Sequence, residues 1–265
     1  MRTMQTFVLA ALMAAGLLWG AQTKAAPISD ENLTQALEKI FRERPDLVMD
    51  VLRRNSESVL DIAQQGSNLR RKRSMEAQWA EDMKTPKSVR TADRPVLGPA
   101  NAKVRIVAFS DFTCHFCQQA SHTLDALMRQ YGKDVSLVFK NLPLDEKGPG
   151  ATSAAYFTAI GQQDVNKAWA VFRTLFANRD QLITEGEAYL KKTAQELGVD
   201  MKTLVKDLHS KKVKTILAQD QEDAQKLGVE GTPYFLVNNM VLRGALPLDL
   251  FKDAVDMALK KQADK

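Results

Sequence analysis

Val104-Arg105-Ile106-Val107-Ala108-Phe109-Ser110-Asp111-Phe112-Thr113-Cys114-His115-Phe116-Cys117 reads as a strand that ends in a pair of cysteines. Val104 to Phe109 is a β-branched, apolar run of the kind buried in a sheet. Phe116 to Tyr131 follows with helical spacing, placing Ala120, Leu124, Leu127 and Met128 on one side. Cys114 therefore falls at a helix N-terminus, where unpaired N–H groups and the helix dipole favour negative charge. That stabilises the thiolate over the thiol, and the thiolate is the attacking species in disulfide exchange. Cys117 comes one turn later, beneath Cys114 and able to close a disulfide with it. The pattern predicts Cys114 as the nucleophile and Cys117 as the resolving thiol. His115 stands between them, either as an imidazolium that adds to thiolate stabilisation or as a solvent-exposed spacer.

Other uses of the pair fit less well. The chain has 265 residues and these are its 2 cysteines. A structural disulfide closing so short a loop removes little chain entropy, about 2 kcal/mol against about 4.7 for a 100-residue loop. Covalent haem needs a His directly after the second Cys, and Gln118 stands there. Zinc needs about four ligands; His115 and His122 share a helix face, but Cys117 lies off it. No metal and no cofactor is expected. With 45% hydrophobic and 26% charged residues, the composition is that of a globular protein, not a disordered or collagen-like one. A net charge of +5 is mild for this length and gives no reason to expect nucleic acid.

Upstream, Arg2 and the apolar run Phe7–Trp19 read as a secretory signal peptide over residues 1–25, with Thr23-Lys24-Ala25 as the cleavage site. An uncleaved N-terminal anchor is the alternative. A periplasmic, exported protein follows, in a compartment where disulfides form. Residues 26–85 read as an N-terminal helical oligomerisation segment. Leu33, Leu37, Ile40 and Phe41 mark a first helix, and Pro45 opens a second carrying Val48, Leu52, Asn55, Val59 and Ile62. Gly66-Ser67 is expected to break it before a third helix, Leu69–Met83, whose Arg70-Arg71-Lys72-Arg73 run reads as a solvated face. These stripes have too little around them to be buried alone; self-association covers them, or docking within the chain.

Thr85 to Pro95 reads as a linker, opening a second region over residues 86–265. Downstream of the cysteines, Val135–Phe139 is a second strand and residues 150–227 are helical. Tyr234–Val237 and Met240–Leu242 form a hairpin around Asn238-Asn239, and Leu248–Leu259 closes the chain as a helix. The fold class is α/β, preceded by an all-α segment.

The stretch Pro95-Val96-Leu97-Gly98-Pro99-Ala100-Asn101-Ala102, with Phe109 to Cys117, resembles the DsbA-like branch of the thioredoxin superfamily. Gly228-Val229-Glu230-Gly231-Thr232-Pro233-Tyr234-Phe235 resembles that branch's cis-proline loop. The resemblance implies a thioredoxin-like fold with an inserted helical domain. It also implies a cis Pro233 facing the cysteines, and a Thr232 whose backbone meets a substrate segment. The N-terminal helices are similar to those of exported, oligomeric members, among them ScsC-like proteins and disulfide isomerases. Two departures stand out. No proline sits between the cysteines, and Ala108 occupies the position, six before the nucleophile, where relatives often carry a buried acid. Asp111 is then the nearest carboxylate, for proton transfer or for capping the helix. Lys140 reads as structural, within reach of the site region.

Together these predict an exported thiol–disulfide oxidoreductase acting on cysteine-containing substrate proteins, with a membrane electron-transfer partner and self-association through residues 29–84. Isomerase or reductase action is favoured over oxidation, because an oligomer surrounds a misfolded chain with several sites and Thr232 is the residue type of isomerase relatives. His115, which resembles the histidine of strong oxidants, supports the alternative of a disulfide-donating oxidase. A copper- or zinc-binding protein is the remaining alternative.

Overall fold

The structure, a computed structural model, describes residues 30–263; the signal-peptide reading lies outside the described residues. The chain divides into two compact units, one ending at Ser67 and the other starting at Asn68.

The first unit is helical: α1 (Asp30–Glu43), α2 (Pro45–Arg54) and the opening turns of α3 (Ser56–Asp82). Pro45 starts α2 as expected, its missing N–H costing nothing there. Two sequence expectations are corrected. Asn55 does not lie within one continuous helix from Pro45 to Ile62. It ends α2, its Nδ2 donating to the Val51 carbonyl at 2.8 Å, before α3 begins. Gly66-Ser67 does not break the chain; α3 runs through both as a helix of 27 residues. A glycine in an exposed helix costs about 1 kcal/mol relative to Ala, which helix formers on either side can carry. No residue of α1 or α2 is buried.

The second unit is built on a five-stranded sheet of order β1-β3-β2-β4-β5. The strands are β1 (Val96–Leu97), β2 (Val104–Ser110), β3 (Val135–Asn141), β4 (Tyr234–Val237) and β5 (Met240–Arg243). β2 and β3 are parallel and the other pairs antiparallel, with Ala108 opposite Phe139 on one side and Phe235 on the other. α4 (His115–Tyr131) makes the crossover between the parallel strands. Next come α5 (Pro149–Gln163), α6 (Val165–Ala177), α7 (Arg179–Glu185), α8 (Glu187–Glu196), α9 (Met201–Leu208) and α10 (Lys211–Lys226), with α11 (Leu248–Ala263) after the β4–β5 hairpin. The hairpin turns at Asn238, whose φ is +51°. β1 was not expected; two residues among prolines carry no periodicity.

Both sheet faces are covered, which is why β2 is apolar almost throughout. Ile106, Ala108, Leu137 and Phe139 pack with Leu124 and Leu127 of α4. Val107, Phe109 and Val138 form a second core with Ala224 of α10. An aromatic cluster joins sheet to helices: the Phe112 ring lies 4.9 Å from Phe139 and 5.0 Å from Phe176.

The end of α3 belongs to this unit. Trp79 is fully buried, and Met75 and Met83, one turn either side, pack on the same core. Trp79 Nε1 donates to the Val241 carbonyl at 3.0 Å, and the Val241 N–H donates to Asp82 at 3.0 Å. Edge strand β5 thereby gains partners for its outward backbone groups. The boundary expected near residue 86 accordingly moves to Asn68. The segment read as a linker is pinned too. Arg90 and Arg94 reach Asp223 and Asp220 of α10, and Lys140 stands between those carboxylates at 2.8 Å from each.

Candidate active site

β2 delivers the chain to Cys114 through a turn built by Asp111. One Asp111 oxygen accepts the Thr113 N–H at 2.7 Å and the Thr113 hydroxyl at 2.8 Å; the other accepts the Leu144 N–H at 2.9 Å. The buried carboxylate thus accepts three hydrogen bonds that shape the turn before Cys114. Gly150 allows the approach of α5, because a Cβ there would lie 2.7 Å from an Asp111 oxygen.

Cys114 is the N-cap of α4, in extended conformation at φ −75° and ψ 125°. Its carbonyl takes the first helical bond, from Gln118 N at 3.1 Å, while its sulfur stays half-exposed. Cys117 is buried, 1% exposed. Both are free thiols. A hydrogen bond from Cys117 is the largest influence drawing the Cys114 thiol down to about 5, against the opposing effect of partial burial; Thr232 and the N–H groups of Cys117 and Phe116 add to it. Burial, and then the hydrogen bond to Cys114, push the Cys117 thiol far up. One sulfur is therefore an accessible thiolate at neutral pH, and the other is a protected thiol.

The Thr232–Pro233 peptide is cis. Although 118 residues from Cys114 in sequence, Thr232 meets it: the Cys114 sulfur lies 3.6 Å from the Thr232 carbonyl oxygen, as donor to it when protonated. The buried Thr232 hydroxyl favours the ionised form of either sulfur. A shallow cleft lined by Glu230, Tyr234, Arg243 and Gly244 continues from Thr232 and Pro233 along the surface.

The structure brings Cys114, Cys117, Thr232 and Pro233 together. His115 is exposed beside them, and its Nε2 lies 3.0 Å from Gln119 Nε2, one turn along the helix. Lys140 shares a strand face with Val138, two residues before it in β3, and so faces the second core, away from α4; the Phe109 ring lies 5.6 Å from its Nζ. Among the described residues, no three His, Cys, Asp or Glu side chains converge as a metal site. Two contacts escaped the sequence: Gln118 Nε2 donates to the Phe176 carbonyl at 2.7 Å, and Arg179 Nε donates to the Thr113 carbonyl at 2.6 Å. No local pattern announces either.

A thioredoxin family model matches residues 90–257. This chain belongs to that family. It is 35% identical over 174 residues to the probable disulfide bond formation protein D of Bacillus cereus, a match covering 62% of this chain and 78% of the relative. A thioredoxin-like oxidoreductase from Silicibacter pomeroyi shares 30% identity at a TM-score of 0.57, over 64% of this chain and 94% of its own. Proteus mirabilis ScsC in a transitional conformation shares the fold over 86% of this chain and 99% of its own, at 23% identity and a TM-score of 0.58. The chain is a thiol–disulfide oxidoreductase of the DsbA-like branch.

Proposed function

We propose that the chain is exported to the periplasm and works there on substrate proteins, chiefly as a disulfide isomerase. Cys114 acts as nucleophile and Cys117 as resolving thiol. The carrying observation is the division between the two sulfurs. The Cys114 thiolate attacks a substrate disulfide; that S–S bond breaks, a mixed disulfide forms and a substrate thiolate leaves. Cys117 must lose its proton to resolve the mixed disulfide, and burial opposes this. The complex then lasts while the substrate thiolate rearranges within its own chain and finally displaces Cys114, with no net change in electrons. When Cys117 does attack, the substrate is reduced by two electrons and Cys114–Cys117 becomes a disulfide. A membrane electron-transfer partner would return it to the dithiol.

The helical segment supports a second part of the reading, self-association. Leu33, Leu37, Phe41, Leu52, Val59 and Ile62 are 36–69% exposed. α1 and α2, with no buried residue, gain little stability alone, and copies of the same segment would cover these side chains. No described helix is long and apolar enough to cross a membrane.

Scrambled, fully oxidised ribonuclease tests the proposal. The intact chain should restore ribonuclease activity and be oligomeric by light scattering. A chain beginning at Asn68 should be monomeric, still reduce insulin, and restore much less. No recovery by the intact chain, with rapid oxidation of reduced ribonuclease, would identify a disulfide-donating oxidase instead.

A further inference from the structure

Two side-chain bonds tie the helical insertion to the cysteine loop, and they run in opposite directions. Gln118, in the first turn of α4, donates to the carbonyl of Phe176 near the end of α6. Arg179, the first residue of α7, donates from Nε to the carbonyl of Thr113. The Thr113 carbonyl belongs to the peptide that joins Thr113 to the nucleophile. The Asp111 carboxylate holds the N–H and hydroxyl of Thr113, and the Asp111 carbonyl accepts the Cys114 N–H at 3.2 Å. Arg179 completes the set by fixing the carbonyl end.

We propose that Arg179 is a positioning residue for the thiol chemistry: it pins the Thr113–Cys114 peptide and sets the insertion's positive charge beside the peptide that carries the nucleophile.

Water would satisfy a carbonyl at this surface. Ordering an arginine there instead sacrifices rotamer freedom, so the arrangement needs a compensating gain. The Arg179 Nη1 bond to Asp180 offers little, because the Asp180 side chain is 93% exposed and such ion pairs are weak. The bond to Thr113 differs: it is short and charge-assisted, and the Arg179 side chain is only 19% exposed. A guanidinium bound to this carbonyl places a positive charge beside the peptide that carries Cys114, and an opposite charge nearby favours the ionised form of a thiol. The helical insertion thereby acts on the reactive sulfur as well as covering the sheet.

The inference rests on Cys114 being the nucleophile, which Cys114→Ser tests separately by abolishing insulin reduction. The direct test compares Arg179→Met, Arg179→Gln and Arg179→Lys in the full chain. Thiolate absorbance at 240 nm is followed against pH, and the dithiol–disulfide equilibrium is measured against glutathione. Losing the charge destabilises the thiolate. In Arg179→Met the ionisation midpoint should rise by about one pH unit, a roughly tenfold change in proton affinity. The disulfide should become roughly tenfold less oxidising at pH 7. Arg179→Gln keeps a donor without the charge and should shift in the same direction; Arg179→Lys should stay within about threefold of the parent. If Arg179→Met does not fold, the contrast between Gln and Lys decides. Midpoints and glutathione equilibria within twofold of the parent in the folded uncharged variants would overturn the proposal, whatever happens to their melting temperature.

Discussion

Lys140→Met separates architecture from chemistry in this fold. The Lys140 ammonium is fully buried and makes three bonds of 2.8 Å, to Asp220, to Asp223 and to the Arg90 carbonyl. Methionine keeps most of the apolar stem, so the loss is electrostatic. Removing one partner of a buried ion pair typically costs about 3–5 kcal/mol. Here neither carboxylate is left bare. Asp220 retains Arg94 and the Asn141 N–H; Asp223 retains both the guanidinium and the N–H of Arg90. The cost should therefore fall at the low end, about 3 kcal/mol. At about 2–4 °C per kcal/mol for a unit of this size, Tm should drop by roughly 6–12 °C. Thermal unfolding followed by circular dichroism reads this, alongside thiolate absorbance at 240 nm. Because Lys140 faces the sheet side opposite α4, the Cys114 ionisation midpoint should not move. An unchanged Tm, or a midpoint displaced by about half a pH unit or more, would refute the reasoning.

Three further outcomes follow from named contacts. Trp79→Ala empties a core position and leaves the Val241 carbonyl without its donor; calorimetry should show a loss of about 3–5 kcal/mol, whereas Leu60→Ala, at an exposed position, should change stability little. Burial pushes Asp223 up, but hydrogen bonds from Arg90 and Lys140 hold it down to about 2. Its stabilisation is therefore complete above the ordinary carboxylate range and is lost as pH falls towards 2, so Asp223→Asn should flatten acid unfolding between about pH 4 and 2. Gly150→Ala drives a Cβ against the Asp111 carboxylate; about 1–3 kcal/mol of stability should be lost, with slower insulin reduction as the turn before Cys114 shifts.

What the sequence disclosed follows how local each signal is. The strand, the cysteine pair and the helix after it were legible because period and motif lie within thirty or so residues. The cis Pro233 was reachable through resemblance alone; nothing in Gly231-Thr232-Pro233 by itself selects the isomer. Gly66 misled because a glycine signals a break only where its neighbours do not sustain the helix. Trp79 was overlooked in a polar helix, although Met75, Trp79 and Met83 at four-residue spacing were a readable stripe. The Lys140 cluster and the Arg179 bond join residues 50 or more positions apart, and charge patterning along a chain does not reveal such pairs.

The division of labour between the two sulfurs is the claim on which the rest stands. Its most direct measurement is the rate of iodoacetamide alkylation at each cysteine of the reduced, intact chain, resolved by mass spectrometry from pH 3 to pH 9. Cys114 should reach half its maximal rate near pH 5, with Cys117 essentially unmodified across the range. Equal rates at the two thiols, or a Cys114 midpoint at the ordinary value of about 8.5, would contradict the account.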